Sequence, residues 1–263
     1  MHEHAKRPAP PKRSLGQNFL VDENVCRRIV EAARPPEGGV LVEIGPGRGA
    51  LTRFFAELDL ERYVALEKDH ALAAELDVRF PGVEIVDGDA LEFDWETLDG
   101  PKLAVAGNLP YNVASRIIWE VASRLVHFRG AVFMVQHEVA LRLCAGPGGR
   151  DYGALTAWVQ AHCRADYLFK VPPTVFRPRP KVDSAVVRLA PLPREERPEA
   201  PGRLAALLRL CFQKRRKQLG TILKGRLPDA ARQWFEERGI PLTARPETLS
   251  PGQFASLSRF FEE

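Results

Sequence analysis

The chain has 263 residues, a length that fits one large domain with a small appendage, and 45% of them are hydrophobic, which excludes a disordered protein. Lys and Arg outnumber Asp and Glu by 38 to 34 and the pI is near 9.0, an excess that permits a nucleic-acid partner without requiring one. The four cysteines are scattered, with no C-x-x-C pair and no His at ligand spacing, and no run of about 18 apolar residues occurs, which argues against a disulfide framework, a zinc site or a membrane span.

Residues 1–13 read as a flexible basic arm, Pro-rich and without the apolar stretch of a secretory signal, so a cytoplasmic protein is expected. Asp22 is a suitable N-cap for a helix carrying Val25, Ile29, Val30 and Ala33 on one face. Val40–Ile44 then reads as a buried strand, followed by glycines and a helix over 50–58. A second strand over Tyr63–Glu67 leads into a helix over His70–Arg79. A third strand spans Glu84–Val86, and a fourth spans Lys102–Ala106, closely followed by Asn108. A helix over Val113–Leu125 and a fifth strand over Ala131–Val135 complete the alternation. This order predicts an α/β fold, a Rossmann-like domain over 14–190 with a mostly parallel, doubly wound sheet. Ser184–Leu189 reads as an alternating strand. The stretch 190–202 is Pro-rich and reads as a linker, and 191–263 as a small all-helical domain, with helices over Leu204–Leu223, Asp229–Arg238 and Pro251–Phe261.

In such sheets, ligands bind beyond the carboxyl ends of the strands. The polar residues of interest fall there. Gly45-Pro46-Gly47-Arg48-Gly49 follows the first strand with G-x-G-x-G spacing, unlike the dinucleotide fingerprint, and without the lysine of a P-loop. Glu67, 22 residues after Gly45, stands where a carboxylate takes both hydroxyls of a ribose. Asp89, in Gly88-Asp89-Ala90, is placed to accept from an adenine amine. The same residues also fit a tight turn, a solvent-facing Glu and a capping Asp.

Asn108-Leu109-Pro110-Tyr111 suits methyl transfer to an adenine amine. That nitrogen is a poor nucleophile because its lone pair is delocalised into the ring. The Asn108 side-chain oxygen and a backbone carbonyl, best supplied by Pro110, would accept its two hydrogens and favour a pyramidal nitrogen aimed at an electrophilic methyl. Tyr111 offers a face for the base, and Phe176 a second face for a flipped-out adenine. Arg177, Arg179 and Lys181 follow Phe176 and suit phosphates. Lys214-Arg215-Arg216-Lys217 places four cations on the helix expected over Leu204–Leu223, another candidate phosphate contact. A packed Tyr, a core Phe and a solvated charged face are the plainer alternatives.

Taken together, these segments resemble the ribosomal RNA adenine dimethyltransferases, a family that includes the small-subunit enzyme conferring kasugamycin sensitivity and the macrolide-resistance methylases of the large subunit. The matching stretches are Leu15–Leu20, Glu43–Thr52, Gly88–Ala90, Asn108–Asn112, Met134–Gln136, Tyr152-Gly153, Phe176–Ser184 and Arg215–Lys217. The resemblance implies a class I methyltransferase using S-adenosylmethionine. It brings Gln17, Asn18 and Leu20 to the cofactor, where composition had shown only a lead-in. With Gly45, Gly47, Glu67, Lys68, Asp89, Ala90 and Asn108 they form the expected cofactor-binding set. The implied reaction is dimethylation of two adjacent adenosines near the 3′ end of small-subunit (16S) ribosomal RNA, within an immature subunit, as part of late subunit biogenesis.

The alternatives are a large-subunit methylase of the macrolide-resistance type, or an assembly or transcription factor whose essential role is binding. DNA-adenine and protein-glutamine methylases commonly carry Pro where Leu109 stands. His137 occupies a position where the family commonly has Lys, which bears on RNA affinity; a titrating His catalyst is the other reading of that position. The chain shows no long apolar heptad pattern, so a monomer is expected, without a metal.

Overall fold

The structure is a computed structural model in which residues 17–98 and 100–262 are described; the arm expected over 1–13 lies outside them. The chain opens with a two-residue strand, β1 (Phe19–Leu20), and helix α1 (Glu23–Ala33). Asp22 caps α1 as expected, its carboxylate accepting from the Val25 N–H at 2.9 Å. The order is then β2 (Gly39–Ile44), α2 (Thr52–Phe55), β3 (Leu60–Glu67), α3 (His70–Arg79), β4 (Glu84–Asp87), β5 (Leu103–Asn108), α4 (Ala114–Arg124) and β6 (Gly130–Gln136). The helix expected over 50–58 shrinks to one turn.

Seven strands form one sheet in the order β4-β3-β2-β5-β6-β9-β7, where β7 is Cys163–Val171 and β9 is Ser184–Pro191. The first five are parallel; β9 runs antiparallel to both β6 and β7. The chain winds outward from β2 through β3 to β4, then returns to β5 on the other side. The carboxyl ends of β2 and β5 therefore border the switch-point crevice where α/β sheets bind ligands.

Alternation along the strands sends side chains to two apolar layers. Val42 and Ile44 of β2 face a layer shared with α4, while Leu41 faces the layer containing Ile29 of α1 and Phe55 of α2. The same parity puts Glu43 on the α1 side, fully buried. β9 departs from the expected alternation: Ser184 to Val187 are all buried, because this strand lies inside the sheet with β6 and β7 on its flanks.

The chain between β6 and β9, for which the sequence suggested no elements, contains α5 (His137–Leu143), α6 (Ala154–His162), β7 and a second two-residue strand, β8 (Phe176–Arg177), which pairs antiparallel with β1. The tail folds as α7 (Pro201–Gln213), α8 (Leu219–Ile222), α9 (Asp229–Glu237) and α10 (Pro251–Ser258). α7 and α10 pack on α6, so Leu204, Leu208 and Phe254 join the core layer that holds Val105 of β5. The stretch expected to be a linker is anchored by Arg197, whose guanidinium donates to the Leu192 and Leu125 carbonyls at 2.9 and 3.1 Å. No helix among the described residues is long and apolar enough to cross a membrane.

One element differs sharply from expectation. The helix read over Leu204–Leu223 breaks after Gln213, and Lys214–Lys217 occupy a turn. The amides of Leu219 and Gly220 donate to the carbonyls of Ala244 and Leu242, each at 2.8 Å. In a continuous helix they would donate to residues four back, so this tertiary pairing ends the helix.

Candidate active site

The crevice over β2 and β5 is an open cleft of about 800 Å³. It gathers residues from five stretches of the chain: Gln17–Phe19, Gly45 and Gly47 after β2, Glu67 and Lys68 at the end of β3, Asp89 after β4, and Asn108–Val113 after β5. Of the expected set, Gln17, Asn18, Gly45, Gly47, Glu67, Lys68, Asp89 and Asn108–Tyr111 all border this cleft. Leu20 instead lines a small recess with Gly45, Gly47 and Asn108. Ala90 is buried in the core layer, where its carbonyl accepts from the Trp95 indole at 3.2 Å.

The glycine turn owes its shape to three left-handed residues, Gly45 at φ +66°, Gly47 at φ +59° and Gly49 at φ +75°. A Cβ on Gly47 would also come within 3.1 Å of the Phe19 ring. This close approach lets the Gly47 amide donate to Glu67 Oε2 at 2.9 Å, while the Asp69 amide donates to Oε1 at 2.8 Å. Glu67 is only 6% exposed, and burial raises its pKa against these two bonds. Each oxygen keeps a lone pair for a further donor, so the carboxylate is a fixed acceptor for a vicinal diol.

Asp89 accepts from Lys68 Nζ at 2.6 Å and from the Leu91 amide at 3.0 Å. Burial pushes its pKa up, but the bond and charge of Lys68 and the Leu91 N–H outweigh it, and the carboxyl titrates below its usual range. Gln17 donates from Nε2 to Asp69 at 2.9 Å, which ties the N-terminal segment to the β3 end.

Asn108 ends β5 and donates from Nδ2 to the Asn18 carbonyl at 3.0 Å. The amide is thereby oriented with Oδ1 as its acceptor. The Leu109 amide extends the ladder to the Met134 carbonyl at 3.0 Å. The Pro110 carbonyl, expected to accept from a substrate amine, does not serve: it already takes the Val113 and Ala114 amides, at 3.1 and 2.9 Å, in the first turn of α4. Both lone pairs are committed to the helix start. The Leu109 carbonyl carries no such bond among the described residues and is the neighbouring backbone acceptor. The Tyr111 hydroxyl pairs with Ser184 Oγ at 2.6 Å, which holds the ring at the cleft wall; burial raises its pKa.

Phe176 is not at the cleft. It is fully buried in the α1-side core because β8 pairs with β1, Leu20 opposite Phe176, so its ring presents no face to the opening. Arg177, Arg179 and Lys181 are exposed, but Arg177 donates to the Phe176 and Thr174 carbonyls at 2.9 and 3.2 Å. In the tail, Lys214, Arg216 and Lys217 are exposed on the turn. Arg215 is committed internally, donating to the Arg150 carbonyl at 2.8 Å and standing 3.9 Å from Glu247. His137 lies edge-on to Tyr167, their centroids 6.0 Å apart, and is not among the cleft residues.

Sequence reading missed Phe19, Asn112 and Val113 as cleft residues. Phe19 was legible as the middle of Gln17–Leu20. The other two are local to the Asn108–Tyr111 turn and carry no signal of their own. It also missed the chemistry of Glu43, whose carboxylate accepts from the Thr52 hydroxyl at 2.8 Å and from the Tyr63 hydroxyl just beneath the glycine turn. Burial pushes its pKa up to about 7.

Residues 10–263 match the family model described as ribosomal RNA adenine dimethylase. A ribosomal RNA small subunit methyltransferase A from Maridesulfovibrio salexigens is 53% identical over 247 residues, covering 94% of each chain. Its counterpart from Oleidesulfovibrio alaskensis is 48% identical, covering 100% of this chain and 95% of that one. Among solved structures, a dimethyladenosine transferase from Plasmodium falciparum matches with a TM-score of 0.75 at 26% identity, over 91% of this chain and 95% of that one. The 23S rRNA methyltransferase ErmE matches with a TM-score of 0.67 at 25% identity, over 94% and 100%.

Proposed function

We infer the function from the family to which the chain belongs, the ribosomal RNA adenine dimethylases: it dimethylates adenine amines of small-subunit ribosomal RNA with S-adenosylmethionine as donor. The finer reading is that two adjacent adenosines near the 3′ end of 16S RNA are the targets, within an immature subunit in the cytoplasm, and that the enzyme acts as a monomer. The observation that carries the chemistry is the meeting of the Asn108 amide with the Glu67 carboxylate in one cleft.

The residues present fit the cofactor. Glu67, held by two amides, takes the ribose hydroxyls; Asp89 takes the adenine amine; Gln17–Phe19 close over the glycine turn. When bound there, S-adenosylmethionine supplies an electrophilic methyl on a sulfonium. Asn108 Oδ1 and the Leu109 carbonyl accept the two hydrogens of the target amine, which favours a pyramidal nitrogen with its lone pair toward that methyl. Tyr111, fixed by Ser184, stacks on the base. No strong base is needed before attack, because the proton becomes acidic once the nitrogen has gained its methyl. After the first transfer one N–H remains, and one of the two acceptors still orients it for the second. Arg177, Arg179, Lys181, Lys214, Arg216 and Lys217 meet RNA phosphates; Arg215 instead braces the turn that presents three of them.

The test is incubation of the purified chain with labelled cofactor and immature small subunits, followed by nucleoside analysis. Dimethyladenosine in 16S RNA is expected. Transfer only to protein-free large-subunit RNA would favour the macrolide-resistance type, and transfer to neither would overturn the reading.

A further inference from the structure

The surface on the far side of the sheet from the tail helices carries a concentration of arginines that the cleft chemistry does not use. Two grooves lie along α1. One, about 1420 Å³, is lined by Arg27, Arg28 and Arg34, with Phe54 and Phe169 in its walls. The other, about 670 Å³, lies at the foot of the sheet and is lined by Arg34, Arg129, Arg164 and Arg188. They share Ala32 and Arg34 and so form one continuous track. It follows the later part of α1 from Arg27 to Arg34, about 10 Å, before reaching the foot of β5 and β6.

All six arginines are exposed. The carboxylates along the track are three: Glu31 and Glu57 in the first groove, and Asp166, which stands 3.2 Å from Arg188 and 3.3 Å from Arg164. Six guanidinium groups against three carboxylates concentrate an excess of three, where the whole chain carries only +4. Two of the cations are also preorganised. The Arg28 guanidinium lies 3.6 Å from the centre of the Phe169 ring, and Arg27 lies 4.6 Å from that of Phe54. Stacking on a ring fixes the plane of a guanidinium and leaves its N–H edge turned outward, the arrangement that grips a phosphate with paired hydrogen bonds.

We propose that this α1 track is a second RNA-binding surface, which holds the phosphate backbone of ribosomal RNA outside the segment that enters the cleft. The proposal rests on the reading that ribosomal RNA is the partner. It assigns the track to backbone contact rather than base reading, because its groups are cations without convergent neutral donors and acceptors. It also means that the substrate is gripped on the face opposite the tail turn, so only a large folded RNA engages both.

The experiment compares the wild type with the triple variant Arg27→Gln, Arg28→Gln, Arg129→Gln, none of which borders the cleft. Binding to immature small subunits and to protein-free 16S RNA is measured across a salt series, with cofactor affinity and Tm as folding controls. Affinity for both RNAs is expected to fall at least tenfold at low salt. The slope of log K against log salt is expected to shrink by about 2, since each phosphate contact contributes about 0.7–0.9. Unchanged affinity and slope would overturn the proposal. Weaker binding to whole subunits with unchanged binding to protein-free RNA would also overturn it, and would point to an acidic ribosomal protein as the occupant. If the triple variant loses its Tm, Arg129→Gln with Arg164→Gln, on the outer rim of the second groove, replaces it under the same criteria. Methylation by the wild type is scored separately, so failure of the functional reading is distinguishable from failure of the track.

Discussion

Asn108 and Asn18 stand 90 residues apart in sequence, yet the side-chain amide of the first donates to the backbone carbonyl of the second at 3.0 Å. The bond lets the N-terminal segment set which way the Asn108 amide points. The segment that borders the cleft therefore also orients the amide proposed as the acceptor for the substrate amine.

Replacing Asn108 by Asp tests this directly. A carboxylate cannot donate to Asn18, and it meets that carbonyl with like partial charge. Single-turnover transfer is expected to slow by about 10²–10³, the range for losing one preorganised polar group at a reaction centre. Cofactor affinity should change by less than a few-fold. Wild-type rates in Asn108→Asp would remove this residue from the chemistry.

Glu67→Gln keeps the shape but puts an NH₂ group against either the Gly47 or the Asp69 amide, a donor facing a donor. It also removes the charge proposed to attract the ribose hydroxyls. Titration calorimetry should show cofactor affinity weaker by about 10–100-fold, as expected for hydrogen bonds to a charged group. A dissociation constant within twofold of wild type would contradict the assignment.

Gly47→Ala combines a left-handed backbone with a Cβ at 3.1 Å from Phe19. The conformation alone costs an L residue roughly 1–2 kcal/mol, or a Tm lower by about 2–4 °C in a chain of this size. Displacement of Phe19 should weaken cofactor binding as well, whereas Ala at the exposed Gly82, which has open space around it, should do neither.

Glu43 gives the protein a pH-dependent stability term. Burial, the largest cause, pushes its folded pKa up to about 7 from the ordinary 4.5 of a glutamate. Its contribution is therefore fully present below pH 4.5 and is lost as pH rises through 7. The span is worth about 3 kcal/mol at 1.36 kcal/mol per unit. Urea unfolding of wild type and Glu43→Gln at intervals from pH 5 to 8 should show the variant gaining on the wild type as pH rises. A difference that stays flat across that range would rule the term out.

Much of the site was legible before the fold was known, because its residues are local to strand ends. The Gly45–Gly49 turn, Glu67, Asp89 and Asn108 each follow a readable strand, and parallel winding must bring those ends together. What misled the reading was where backbone groups find their partners. Pro110 looked like the natural acceptor beside Asn108, but the start of α4 claims its carbonyl. Lys214–Lys217 looked helical, but Leu219 and Gly220 pair with the 242–244 segment instead. Phe176 had the chemistry of a stacking residue, and pairing of β8 with β1 turned it into core.

The doubly wound sheet, the glycine turn and the order of the polar strand ends are readable from the amino-acid order, since each depends on periodicity and short-range sterics within a few neighbours. Tertiary contacts alone settle that the 17–20 segment holds Asn108 in place, that Arg215 braces a turn, and that arginines spread from position 27 to 188 line one track. Those outcomes depend on contacts between residues tens to more than a hundred positions apart, and no local pattern encodes the partner at the other end.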